Sequence, residues 1–179
     1  MDHTRSDTRP PPERIRVLFV CLGNICRSPL AEGVFLHLAE KAGVADRFEV
    51  DSAGTGDWHV GERPDPRARA VARQHGVKLP SLARQVEPAD FDRFDHIVAM
   101  DRENLWALER MARERSSGGS RAEIHLLRVD DPDREEGDDR HDVPDPYYGG
   151  PGGFEEVYRM VHRSAEALLA RLLAGTRAP

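Results

Sequence analysis

Cysteine is scarce in this chain: Cys21 and Cys26 are the only two in 179 residues. Five positions apart, they cannot build a disulfide framework or supply a four-ligand zinc site, and a reducing, cytoplasmic setting is the expectation. Long apolar runs are also missing. Nothing approaches the roughly 20 residues of a membrane span, and the first 14 residues lack the apolar stretch of a signal peptide. Nor is there a surplus of positive charge. With 26 Lys and Arg against 32 Asp and Glu, the net charge is −6, which speaks against bulk binding to nucleic acid or a membrane surface. An anionic substrate would have to be attracted locally. No internal repeat is visible. What remains, 39% apolar and 32% charged residues, has the composition and length of one soluble domain with a real core.

Met1 to Arg14 is polar, carries Pro10 to Pro12, and reads as a flexible leader (1–14); a domain is expected over 15–174, with a short tail at 175–179. Ile15 to Val20 fits a buried strand. Ser28 is a good N-cap and Pro29 a good first helical residue, with Leu30, Val34 and Leu38 at helical spacing and Gly43 as the stop. Phe48 to Ala53 reads as a second strand. Asp65 or Pro66 opens a helix to about His75, and Pro88 to Phe94 reads as a short helix. His96 to Met100 is a third strand, Asp101 caps a helix from Arg102 to about Arg115, and Ser116 to Ser120 is a turn. Glu123 to Val129 is a fourth strand. Phe154, Val157, Tyr158, Val161, Ala165, Leu168 and Leu172 form one face of a long terminal helix. Strands alternating with helices predict an α/β domain: a central four-stranded parallel sheet covered on both faces, with a phosphate-binding loop after the first strand. Asp130 to Asp142 is acidic and reads as a solvated loop.

The chemistry concentrates in Cys21-Leu22-Gly23-Asn24-Ile25-Cys26-Arg27-Ser28. A cysteine and an arginine bracket five residues where a strand hands over to a helix, at a strand carboxyl end, where ligands of parallel sheets bind. Backbone N–H groups of such a turn point at an anion, and the helix dipole adds favourable partial charge. The arginine fork pairs two phosphate oxygens at once. A cysteine in that positive field is expected to have a lowered pKa and to be nucleophilic at neutral pH. A thiolate aimed at a bound phosphoryl group is the machinery of a cysteine-dependent phosphatase.

The run V-L-F-V-C-L-G-N-I-C-R-S-P-L-A-E (Val17 to Glu32) resembles the signature of low-molecular-weight protein tyrosine phosphatases. Asp51 to Gly61, Pro64 to Ala68, Phe94 to Asp101 and Asp145 to Gly149 look like family segments in family order, so the likeness spans about Ile15 to Leu173. The resemblance implies hydrolysis of phosphotyrosine in a protein substrate, with inorganic phosphate as product, through a phosphocysteine. Cys21 would be the nucleophile, Arg27 the phosphate clamp and Asp145 the general acid and base; from the residues alone, Asp145 is as well read as a turn former before Pro146. Leu22, Gly23, Asn24, Ile25, Cys26 and Ser28 would surround the phosphate. Trp58, Tyr147 and Tyr148 would form an aromatic rim, or else peripheral core packing. Ser52 and His75 would support the loop, His75 being otherwise a helix-end residue facing the dipole. No cofactor or metal is expected, since Arg27 and the loop amides supply the electrostatics. The resemblance also implies that Cys21 and Cys26 can pair on oxidation, making the enzyme redox-sensitive; the plainer alternative is that Cys26 packs under the loop. Two rivals share the scaffold. Arsenate reduction needs further thiols, and protein-arginine phosphatase activity goes with a threonine where Ile25 stands.

Overall fold

The computed structural model describes residues 13–115, 118–134 and 141–175. Most of the expected leader, Ser116 and Ser117 of the expected turn, 135–140 of the acidic stretch and 176–179 of the tail lie outside the described residues. Four strands, β1 (Ile15–Cys21), β2 (Phe48–Gly54), β3 (His96–Ala99) and β4 (Glu123–Leu126), form one sheet in the order β2-β1-β3-β4, all parallel. Five helices cover it: α1 (Arg27–Lys41), α2 (Pro66–Gln74), α3 (Asp90–Arg93), α4 (Arg102–Glu114) and α5 (Gly153–Leu173).

β1 shows why its sequence is apolar throughout. Val17, Phe19 and Cys21 enter the core shared with α1, α2 and α5, while Leu18 and Val20 enter the core under α4. A strand buried on both faces cannot alternate in polarity. After β1 the chain returns on one side as β2 and later on the other as β3, so a crevice opens at the carboxyl end of β1, where Cys21 ends the strand. Among the described residues no helix is long and apolar enough to cross a membrane.

Three boundaries differ from expectation. α1 begins at Arg27, with Cys26 as a cap that makes no side-chain hydrogen bond. Ser28 is therefore inside the first turn, and its hydroxyl is drawn to groups in the loop instead of to the helix amides. β4 stops at Leu126 because Leu127–Asp130 tightens into a 3₁₀ turn. The expected helix from Pro88 shrinks to Asp90–Arg93, the chain before it being a turn. Asp65 and Asp101 cap α2 and α4 as expected, accepting from the amides of Arg67 and Asn104, and Gly43 supplies the positive φ, 70°, that ends α1.

The reading of the acidic stretch as solvated is corrected at its start. Asp130 accepts from Arg171 of α5 at 2.7 and 3.0 Å. The Asp131 side chain is fully buried; it accepts from Arg163 of α5 at 3.2 Å through both oxygens, from Arg128 at 3.1 Å and from the Asp133 amide at 2.9 Å. These carboxylates anchor the turn after β4 to the terminal helix, a task that composition alone hides. Burial opposes ionisation of Asp131, but the bonds from Arg163, the Asp133 amide and Arg128 outweigh it and hold the carboxyl below its usual range.

Removing a buried partner leaves the opposite charge uncompensated, so Asp131→Ala should cost about 3 kcal/mol in urea unfolding at neutral pH. Because the folded carboxyl titrates below the unfolded one, this stabilisation is present above pH of about 4 and is lost as pH falls through the folded value. The gap between wild-type and variant midpoints should therefore narrow in acid.

Candidate active site

The crevice beyond β1 holds a cleft of about 430 Å³ with Cys21 and Arg27 at its base and Trp58, Tyr147 and Tyr148 around its mouth. Leu22, Gly23, Ile25, Cys26, His59 and Asp145 complete the lining. Asn24 and Ser28 are not among the lining residues: both are buried behind the loop, where they hold it.

Asn24 has φ 56°, the left-handed conformation that turns the chain around the anion position and that Asn tolerates better than most residues. Its amide side chain is fully engaged. Oδ1 accepts the Arg84 backbone N–H at 3.0 Å, which fixes the amide's orientation. Nδ2 donates to Ser28 Oγ at 2.8 Å and to Ser52 Oγ at 3.0 Å. The hydrogen-bond directions then follow. Ser52, having accepted from Asn24, donates to Glu32 Oε2 at 2.6 Å. Ser28, having accepted likewise, turns its own proton toward Cys21 Sγ at 3.0 Å, the carbonyl of Ala53 being more distant at 3.4 Å. The Asn24 backbone N–H adds a second donor to the sulfur at 3.2 Å. Negative charge on sulfur is thus met by oriented donors.

Glu32 is buried on α1 and also accepts from Ser81 at 2.8 Å. Burial pushes its carboxyl up, while the bonds from Ser52 and Ser81 pull it back in part. β2 approaches the loop closely: a Cβ on Gly54 would lie 2.7 Å from the Leu22 carbonyl oxygen, so only glycine lets the two segments meet.

Arg27 is 3% exposed. Its Nη1 donates to Asp101 Oδ2 at 2.5 Å and to the Val143 carbonyl at 3.0 Å, and Nη2 lies 3.5 Å from Asp145 Oδ2. Burial opposes its charge, but Cys21, Asp101 and Asp145 together more than offset that and raise its pKa. Asp101 works twice, since Oδ1 caps α4 at Asn104 N while Oδ2 holds Arg27.

Asp145 is exposed at the cleft wall and accepts from the Tyr147 amide at 3.0 Å. Its loop is set by Arg67, which donates to the Tyr147 carbonyl at 3.1 Å, lies over the rings of Tyr147 and Phe154, and is chelated by Asp65. The Asp65 amide in turn donates to the Ile25 carbonyl at 2.8 Å, so one chain of contacts links the Cys21 loop to the Asp145 loop. The rim aromatics are not core: Trp58 is 69% and Tyr148 93% exposed.

Both cysteines are free thiols. Burial, then the charges of Asp65, Cys21 and Asp145, pushes the Cys26 thiol well up, with Arg67 opposing. His75 is placed away from the loop. It stacks on Tyr158 of α5 with centroids 3.9 Å apart and pairs with Glu155 at 3.0 Å, as a helix-end residue bridging α2 and α5. Sequence reasoning missed Glu32, Ser81, Asp101 as an Arg27 partner, Arg67 and His59. Two left a signal: Glu32 is a lone acid within the apolar stretch Leu30 to Phe35, and Asp101 follows the carboxyl end of β3.

Residues 16–177 match the family described as Low molecular weight phosphotyrosine protein phosphatase. A Streptomyces coelicolor relative named Low molecular weight protein-tyrosine-phosphatase is 51% identical over 156 residues, covering 87% of this chain and 92% of that protein. The crystal structure of YfkJ from Bacillus subtilis is similar with a TM-score of 0.80 at 42% identity, over 92% of this chain and 98% of that one. A protein tyrosine phosphatase from Entamoeba histolytica gives a TM-score of 0.81 at 35% identity, over 90% of this chain and 98% of that one.

Asn24 can be tested by a pair of variants. Asn24→Ala loses the side-chain bonds and keeps a Cβ in the left-handed region; Asn24→Gly loses only the bonds. Both should weaken inorganic phosphate binding in calorimetry by about tenfold or more, because each lost bond is worth about 1 kcal/mol. In thermal unfolding the alanine variant should be less stable than the glycine variant by about 1 kcal/mol. Equal stability of the two would mean the conformation is not strained.

Proposed function

The chain belongs to the low molecular weight phosphotyrosine protein phosphatase family, and from that membership we propose that Cys21, Arg27 and Asp145 carry out the hydrolysis of phosphotyrosine in protein substrates. It is a phosphoric monoester hydrolase of the protein-tyrosine-phosphatase class. The domain we assign to this activity is 15–174. The observation that carries the residue assignment is the convergence of three groups on one cleft: a sulfur facing two donors, a buried guanidinium, and a carboxylate 3.5 Å from that guanidinium.

In this reading the Cys21 thiolate attacks phosphorus in line with the tyrosine oxygen. The P–O bond breaks, Asp145 protonates the departing phenolate, and a phosphocysteine forms. Asp145, now ionised, takes a proton from water as that water attacks phosphorus. Phosphate leaves and the thiolate is restored. Charge on the three equatorial oxygens must be stabilised throughout, since the transition state is loose. Nη1 of Arg27 is engaged by Asp101 and Val143, which orients the guanidinium in advance and leaves its other edge for the phosphate. Glu32, Ser52, Asn24 and Ser28 keep the sulfur supplied with a donor.

The cleft favours an aromatic ester. Exposed Trp58 and Tyr148 can clasp a flat ring whose phosphate reaches the base, and Ile25 presents an apolar wall beside Cys21. A guanidinium-linked phosphate would leave polar N–H groups against Ile25. Arsenate reduction has no further thiols to draw on, because Cys21 and Cys26 are the only cysteines. Oxidative pairing of these two, implied by the family resemblance, would start from free thiols and would have to deprotonate a buried Cys26.

Cys21→Ser should abolish turnover while inorganic phosphate still binds; turnover in that variant would overturn the nucleophile assignment. Asp145→Asn should lower kcat by about two to four orders of magnitude on phosphotyrosine, and less on p-nitrophenyl phosphate, whose leaving group needs little protonation. A wild-type rate on phosphotyrosine would rule Asp145 out.

A further inference from the structure

Beyond the strip of chain that carries His59, a second depression of about 420 Å³ opens between α2 and the segment that follows it. Arg63, Arg69, Arg73 and Lys78 line it, and no carboxylate does. Arg69 and Arg73 are four apart on α2 and so share one face, a like-charge spacing that costs helix stability. Arg67, two residues from Arg69, is turned to the Asp145 loop instead. Gly76, with φ 74°, reverses the chain after α2, and the Val77 amide donates back to the Ala72 carbonyl at 2.8 Å, which brings Lys78 alongside the two arginines. Pro64, Val77 and Leu79 supply an apolar floor. That floor is fixed: a Cβ on Gly33 of α1 would lie 2.5 Å from Leu79 and 2.8 Å from the Lys78 carbonyl oxygen, so the segment packs directly on α1.

The charges around this depression are unmatched. Among the described residues the side chains of Arg63, Arg73 and Lys78 make no hydrogen bond and no ion pair. Arg69 donates to a neutral group, the Pro64 carbonyl, at 3.0 Å. The carboxylates close by in the chain are taken: Asp65 by Arg67, Glu62 by His59 at 2.8 Å, and Glu32 by Ser52 and Ser81. By contrast Arg16, Arg84, Arg93 and Arg102 each meet an acid, in a chain whose net charge is −6. Four cations gathered on one concave surface without counter-charge repel one another and are complementary to a negatively charged occupant.

The position beside the cleft identifies that occupant. The wall between the two is the run from His59 to Pro64: His59 lines the cleft, while Arg63 and Pro64 line the depression. Four residues of chain span at most about 14 Å. Two backbone bonds of 2.8 Å hold the wall, from Gly61 N–H to the Ala83 carbonyl and from Ala83 N–H to the Glu62 carbonyl. We propose that Arg63, Arg69, Arg73 and Lys78 form a docking site for an acidic stretch of the phosphoprotein whose phosphotyrosine occupies the cleft, a choice of substrate that rests on the function proposed above. An extended peptide rises about 3.3 Å per residue, so acids about four to six positions from the phosphotyrosine reach the depression. Arginine forks pair well with carboxylates, and the lysine adds a point charge. The site selects substrate without touching the reacting atoms.

The test compares two phosphotyrosine peptides on the full chain. In one, glutamates begin about four residues from the phosphotyrosine on both sides; in the other, glutamines replace them. Wild type should show a kcat/KM about tenfold higher for the glutamate peptide at about 50 mM salt, mainly through KM, and the ratio should fall toward one at about 500 mM. A triple variant, Arg63→Ala, Arg73→Ala and Lys78→Ala, changes exposed positions only. It should bring the ratio near one at low salt while kcat/KM on p-nitrophenyl phosphate stays at the wild-type value. A ratio near one in wild type, or a preference that survives in the triple variant, would overturn the proposal; pyrophosphate binding without a peptide preference would make the depression a small-anion site and overturn it too. Absence of turnover on every phosphotyrosine peptide by wild type would strike the reading of the cleft itself, and the docking site with it.

Discussion

A buried guanidinium is the constraint around which this molecule is arranged. Taking the Arg27 charge out of water is expensive unless the surroundings replace what water gave. Three parts of the chain that are remote in sequence meet that demand: Asp101 after β3, the Val143 carbonyl, and Asp145 across the cleft. Each contact also does something for the fold. Asp101 caps α4, and the Val143 amide donates to the Met100 carbonyl, tying the segment before Asp145 to the end of β3. The cation that would grip the phosphate is thus also the tie that brings the Asp145 loop to Cys21.

The second arrangement is directional. Once Arg84 N–H fixes the Asn24 amide, the proton positions of Ser52 and Ser28 follow, and the run ends at the sulfur. At its other end is Glu32, a carboxylate that can only accept while ionised. A buried polar network of this kind is useful only when every member is satisfied. This explains why two serines, an asparagine and a glutamate sit together behind a loop that an apolar core could equally have filled. Asn24 in the left-handed region is the one backbone strain in the assembly, and its side-chain bonds offset it.

The parallel sheet, its helix order and the anion loop were legible because they rest on local signals: an apolar run, a turn of small residues, caps at Asp65 and Asp101. The three residues proposed for catalysis stand in segments that resemble the family's, Asp145 through that resemblance alone, and the fold brings them to one cleft. What sequence could not supply were side chains whose role depends on distant partners. Ser28 looked like a cap because Ser before Pro usually is; here the helix starts earlier, and its hydroxyl is taken by the loop. Asp131 looked solvated because it opens an acidic run, yet arginines from α5 and the preceding turn bury it. His75 matched a motif but faces Tyr158 and Glu155, since the turn of α2 that carries it leans on α5. For Ser28 and Asp131 tertiary contact overrode the local signal, whereas His75 is the helix-end residue that the local pattern also allowed.

The two cysteines, five residues apart on one loop, show how finely such contacts divide equivalent chemistry. Cys21 ends a strand with its sulfur toward a hydroxyl and an amide, both able to donate. Cys26 stands at the start of α1, packed with Ile25, Ala83 and Phe154 and close to the carboxylates of Asp65 and Asp145. It is as buried as Cys21, but apart from Arg67 its neighbours are apolar or negative, so loss of its proton is disfavoured by desolvation and, on balance, by charge. One thiol is equipped to carry negative charge and the other to avoid it. A loop that wraps an anion needs this division, because two thiolates sharing one cleft would repel both each other and the phosphate.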